Sequence, residues 1–147
     1  MDISEWRRAL AAAFPRLARE GYEIVGEPTR GYNCIAYAAG DANEWWWPTG
    51  GRYWPDYATR TQRMESLVEV FGGLDYEPCG NNGLESGFEK IALYERDGRF
   101  EHAALQTSAG RWRSKMGEGP VIEHPSPESL ADGMYGNPTI LMRRRRG

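Results

Sequence analysis

The sequence predicts an α+β domain in which helices come first and an antiparallel meander sheet follows. Three observations predict it. Apolar residues recur at helical spacing in the opening stretch and again at Met64, Leu67, Val68 and Phe71. Strand patterns occupy residues 88–94 and 100–106, joined across Arg96-Asp97-Gly98-Arg99, where Asp-Gly signals a hairpin turn. Between them, Arg30-Gly31-Tyr32-Asn33-Cys34-Ile35-Ala36-Tyr37-Ala38-Ala39-Gly40 reads as a turn, then a short helix of small and apolar residues, then a glycine stop. Cys34 stands in the first turn of that helix.

Taken in order, residues 3–20 form an amphipathic helix capped by Asp2 or Ser4, with Trp6, Leu10, Ala13, Phe14 and Leu17 on one face. Pro15 bends or divides it. Tyr22 to Val25 is a short strand or extended segment. Residues 41–57, with Trp45-Trp46-Trp47-Pro48 and Tyr53-Trp54-Pro55, form an ordered loop, since prolines and glycines interrupt any regular pattern. Thr59 or Thr61 caps a helix that Gly72-Gly73 ends. Tyr76 to Cys79 is a strand or its end. After the hairpin, residues 111–116 make a third antiparallel strand. Ser126-Pro127 opens a short helix and Thr139 to Met142 makes a last strand. His124, beside Pro125, reads as a loop residue.

The 147 residues read as one domain, with a helical extension over 1–29 and a basic tail over 143–147. A hydrophobic fraction of 40% and an aromatic fraction of 12% belong to a folded globule. The net charge of −3 argues against a nucleic-acid-binding body, and Arg143 to Arg146 reads as a solvated tail. No apolar run is long enough to span a bilayer, and the N-terminus lacks the basic start and apolar core of a signal peptide. The expectation is a cytoplasmic protein, with export by a route that leaves no such mark still open. Cys34 and Cys79 are expected as free thiols. No cofactor motif and no close pair of metal ligands occurs, with Cys34, Cys79, His102 and His124 far apart in the chain.

A nucleophilic cysteine needs a base within hydrogen-bond reach and a third group to orient that base. A helix start favours the thiolate. His102 is the first partner for Cys34: it lies in a central strand, where alternation puts it on one face with Phe100 and Ala104. His124 is the other. On these residues the chain resembles papain-like cysteine hydrolases of the NlpC type. Asn33-Cys34-Ile35-Ala36 looks like their cysteine segment and His102-Ala103-Ala104-Leu105 like their histidine strand. The third position falls near Ser114, where that family usually has His, Asn, Asp or Gln. A closer resemblance covers most of residues 30–142. Tyr32-Asn33-Cys34-Ile35-Ala36, the tryptophan cluster, Tyr53-Trp54-Pro55, Glu89 to Tyr94, His102-Ala103-Ala104 and Trp112 to Lys115 look like a group of uncharacterised bacterial proteins.

Two functions are therefore expected. The resemblance implies a hydrolase cutting an amide in a peptide, an isopeptide or cell-wall peptide. Its nucleophile would be Cys34 and its base His102, with Ser114 or His124 orienting it. Tyr32, Asn33, Trp45, Trp46, Trp47 and Trp54 would line the substrate cleft. The alternative is a non-catalytic module of the same fold, with Cys34 packed in the core and the tryptophan loop holding a protein partner. The oligomeric state stays open.

Overall fold

Local chemistry starts and stops most of the elements. The computed structural model describes residues 2–147. Asp2 accepts from the Glu5 amide and the Glu5 carboxylate reaches back, a capping box that opens α1 (Ile3–Ala13). Pro15 then begins a separate helix, α2 (Pro15–Glu20), as its missing N–H allows at a first turn. After β1 (Glu23–Gly26) come α3 (Cys34–Ala38), α4 (Met64–Gly72) and β2 (Glu77–Cys79). The sheet continues with β3 (Phe88–Arg96), β4 (Arg99–Gln106), β5 (Trp112–Lys115), β6 (Val121–His124) and β7 (Asn137–Arg145). A 3-10 turn, Pro127–Leu130, precedes β7. Asp97 and Gly98 both have positive φ, at 53° and 79°, so the expected tight hairpin joins β3 to β4.

All seven strands pair antiparallel in one sheet, ordered β1-β6-β5-β4-β3-β7-β2. The α+β class and the meander are as the sequence predicts, and helices cover both faces of the sheet. Ile91, Ala92, Leu93 and Tyr94 are all fully buried, so β3 needs apolar cover on each side. On one face α3, α4 and the tryptophan loop pack on Ile91, Leu93, Phe100, Ala103 and Met142. On the other, Leu10, Phe14, Leu17 and Leu130 pack on Ala92, Tyr94, Ala104, Trp112 and Ile122.

Three local expectations differ. The second long helix starts at Met64, without a side-chain cap, because Gln62 and Arg63 are drawn into β4: the Phe100 N–H donates to the Gln62 carbonyl at 2.9 Å and Arg63 bridges Arg99. His124 ends strand β6 instead of lying in a loop. Arg143 to Arg145 of the arginine run end β7 rather than forming a tail. Arg143 pairs with Glu85 and, at 3.3 Å, with Glu77; Arg144 meets Glu89 at 3.4 Å and lies over the Tyr76 ring. Acidic partners and aromatic faces thus take up the positive charge. Among the described residues no helix is long and apolar enough to cross a membrane.

Candidate active site

Asn33 organises the site. Its Oδ1 accepts from the Ala36 amide at 3.2 Å, capping α3, and from the Trp46 amide at 3.1 Å, while its Nδ2 donates to the Trp46 carbonyl at 2.7 Å. One buried side chain therefore sets the first turn of the cysteine helix and fixes the tryptophan loop beside it. A cleft of about 230 Å³ results, lined by Asn33, Cys34, Trp45, Trp47, Glu101, Gly117 and Tyr135. Glu101 is held at its edge by Gln62 Nε2 at 2.7 Å and by Arg96 at 3.5 Å. A larger hollow, about 630 Å³ around Thr61, Arg63 and Arg99, is lined by neither cysteine nor histidine.

The expected electrostatics of Cys34 are reversed. Burial pushes its thiol up to about 11, and the amides of Ala103, Ile35 and Cys34 itself, with the Lys115 ammonium, offset this only in part. The helix is five residues long, so its dipole is small against the desolvation of a residue only 5% exposed at the floor of the cleft. Lys115 is the charged neighbour. Its Nζ donates to the Thr29 carbonyl at 2.7 Å and to the Gly117 carbonyl, and lies 4.9 Å from the Tyr32 ring centroid. Burial brings its pKa down to about 8. At neutral pH the pair is a thiol beside an ammonium.

His102 does not meet Cys34. Tyr94 pairs with His102 and Glu95 with Phe100, so Glu101 is an extra residue, a bulge in β4. The bulge breaks the alternation that would group His102 with Phe100. Phe100 and Ala103 face α3 and the tryptophan loop, whereas Ala104 and His102 face the N-terminal helices. The sulfur touches β4 at the Ala103 amide, and the imidazole one residue earlier projects to the opposite face. There it stacks on Tyr135 at 4.2 Å between centroids and 6° between planes, and meets the edge of Tyr94 at 5.0 Å. Both ring nitrogens are buried without a hydrogen-bond partner. Burial, with His124 nearby, holds the ring well below its ordinary pKa, so it is neutral.

Ser114 and His124 serve each other, not His102. The Ser126 carbonyl can only accept, so His124 Nδ1–H donates to it at 2.8 Å; Nε2 then accepts from Ser114 Oγ–H at 2.8 Å. Both residues are fully buried on the His102 face, away from the cleft. Of the four tryptophans expected to touch substrate, Trp45 and Trp47 line the cleft. Trp46 and Trp54 are core: Trp46 Nε1 donates to Asp41, and Trp54 stacks on Phe100 at 5.8 Å. Tyr32 stacks on Tyr37 and covers Lys115 rather than the cleft. Cys79 lies on the edge strand β2. Among the described residues no three His, Cys, Asp or Glu converge as metal ligands. Glu101, Lys115, Gly117 and Tyr135 escape the sequence reading. The bulge brings in Glu101, and Tyr135 arrives from a loop whose only local signal is its setting between Gly133 and Gly136.

His102 costs stability as it stands, because each buried polar atom without a partner forfeits its hydration. His102→Phe keeps the planar ring and removes both orphaned nitrogens. It is expected to stabilise the fold by about 1–2 kcal/mol in urea unfolding at pH 7. A loss of stability would mean that the ring nitrogens are satisfied in solution.

Fold and site together define a mixed α+β domain with a covered sheet and one buried thiol under an aromatic cleft. The chain belongs to the family described as a domain of unknown function, DUF7689, whose family model matches residues 23–143. That match runs from β1 into β7, leaving α1 and α2 before it. No curated protein and no solved structure matches the chain.

Proposed function

We propose that this domain is a papain-like thiol hydrolase that cleaves an amide bond in a peptide or isopeptide, with Cys34 as its nucleophile. The observation that carries the reading is the position of Cys34: a thiol at a helix start, opening into an apolar cleft, with the backbone amide of Ala103 against the sulfur. In the step, the sulfur bonds to the carbonyl carbon while its proton passes to a base. The tetrahedral adduct then expels the amine, which takes that proton, and water releases the acid and restores the thiol. His102 is the neutral imidazole available for the proton, and access to it depends on Tyr135. The Lys115 ammonium offsets the charge of a thiolate as it forms. The papain-like assignment is supported by the order of parts: a cysteine helix laid on β4, the strand that also carries His102.

The test uses p-nitrophenyl acetate as a generic acyl donor, in a Cys79→Ser background, read by intact mass. A thioester should form on Cys34, vanish in Cys34→Ser and form about 100-fold more slowly in His102→Ala. Acylation no faster than that of free cysteine at the same pH would remove the enzyme reading. A non-catalytic module is the second reading, favoured by the thiol standing at about 11 with no hydrogen-bonded base. Cys34 is then a packing residue, and Trp45 and Trp47 contact a peptide-like partner.

A further inference from the structure

The buried imidazole and the cleft thiol share one neighbour. The Tyr135 ring lines the Cys34 cleft and also lies flat on His102. Among the described residues no other is both a wall of that cleft and an aromatic partner of that imidazole. His102 itself is wholly buried, whereas Tyr135, with Phe14 packed against it at 5.2 Å between centroids, is only half-buried, so the ring that covers the imidazole also reaches the cleft. A fully buried histidine with two unpartnered nitrogens calls for a physical explanation, and packing alone would be served better by phenylalanine.

The segment holding Tyr135 is anchored on both sides of the ring. A Cβ on Gly136, where φ is +72°, would stand 2.0 Å from the Glu95 carbonyl oxygen, and one on Gly133 would stand 2.6 Å from Phe14. The two glycines let the loop seat tightly on β3 and α1, and they bridge each other. Between them Met134 is exposed and Tyr135 projects inward. Side-chain rotation of Tyr135 therefore needs no movement of the loop ends.

We infer that the Tyr135 ring fills an occluded substrate subsite: swung out, it leaves a flat slot bounded by the Cys34 thiol and the His102 imidazole, and the substrate's planar acyl group lies there. The inference rests on the hydrolase reading and names where the scissile bond sits. The near-parallel stack selects planar groups, since the slot has the thickness of one ring. With the ring in place the thiol and the base are separated and the enzyme rests. With an amide in its place, one group touches both.

The groups that face this slot are few. Lys115 on β5 and Glu101 on β4 lie on the thiol side; Glu118 acts on Lys115. Tyr94 on β3 and His124 on β6 lie on the imidazole side, with Glu128 acting on Tyr94. Opening the slot hydrates His102 and moves it toward the ordinary imidazole range near 6.5.

Tyr135→Ala and Tyr135→Phe, each with Cys79→Ser, test this by NMR titration of His102 and by iodoacetamide alkylation of Cys34 against pH. In Tyr135→Ala, His102 should titrate near 6–6.5 and alkylation at pH 7 should rise about tenfold, with an inflection that His102→Ala removes. Tyr135→Phe keeps the cover and should match the parent. Benzamide, a planar amide of about ring size, should slow alkylation of Tyr135→Ala and leave the parent unaffected. A natively folded Tyr135→Ala protein with His102 still silent to pH 4.5, or unchanged alkylation, overturns the inference. If the alanine variant does not fold, Tyr135→Leu exposes the imidazole with less loss of volume, and the same readings decide. Acylation of Cys34 with His102 silent would sink the slot alone. An open slot without acylation would sink the hydrolase and leave a binding site.

Discussion

Between pH 6.5 and pH 4 the protein is expected to lose about 3 kcal/mol of folding stability through His124 alone. Burial, the largest cause, lowers its pKa from the ordinary 6.5 to about 4. In that window the unfolded chain binds a proton that the folded ring does not, so stability falls as pH falls, by about 1.4 kcal/mol per pH unit. The geometry agrees. Nδ1 already donates to the Ser126 carbonyl, and a proton on Nε2 would break the bond from the Ser114 hydroxyl inside the core. His102, held well below 6.5 by burial first, adds to the loss in the same direction. Glu85 and Glu123, lowered by arginine hydrogen bonds, add theirs only as pH falls through the carboxylate range. Urea unfolding at half-unit steps from pH 7.5 to 4.5 gives the slope. His124→Gln should flatten it below pH 6.5 whatever its own cost at pH 7. A parent slope no steeper below 6.5 than above would mean that neither histidine is buried neutral.

Asn33→Ala is the substitution with the largest expected cost, about 3–4 kcal/mol in urea unfolding. It removes the cap of α3 and both bonds to Trp46, leaving a buried N–H and a buried carbonyl without partners. The tryptophan loop should loosen with it, so Trp emission should shift to the red and Cys34 alkylation should quicken. A cost under 1 kcal/mol would show that α3 and the loop hold their places without this side chain. Such a result would also separate two roles. Asn33 lines the cleft, as the sequence anticipates for a substrate-binding residue, yet the bonds it makes are to the protein's own backbone.

Signals carried by neighbouring residues were legible. Asp2, one of the two caps the sequence offers, Pro15, Asp97-Gly98 and Ser126-Pro127 each name a local conformation that depends on few other atoms, and each element begins or turns there. The cysteine helix was legible for the same reason: Asn33 caps it and Gly40, at φ +89°, ends it. The charge state of Cys34 was not. A helix start is a local property and favours the thiolate. Burial under Trp47 and against Ala103 is a property of the whole fold, and it outweighs a five-residue dipole.

The sequence by itself determined the class of the domain, the order of its elements apart from β6, and the presence of one thiol beside an aromatic loop. Only the tertiary structure decided which face of the sheet each polar residue meets. Alternation assigns faces as long as every residue has a partner across the ladder, and the extra residue at Glu101 ends that count. It turns Phe100 toward the tryptophans and leaves His102 facing the N-terminal helices, where Tyr135 closes over it. A bulge is set by how two strands and their layers fit together, a fit that no single strand encodes.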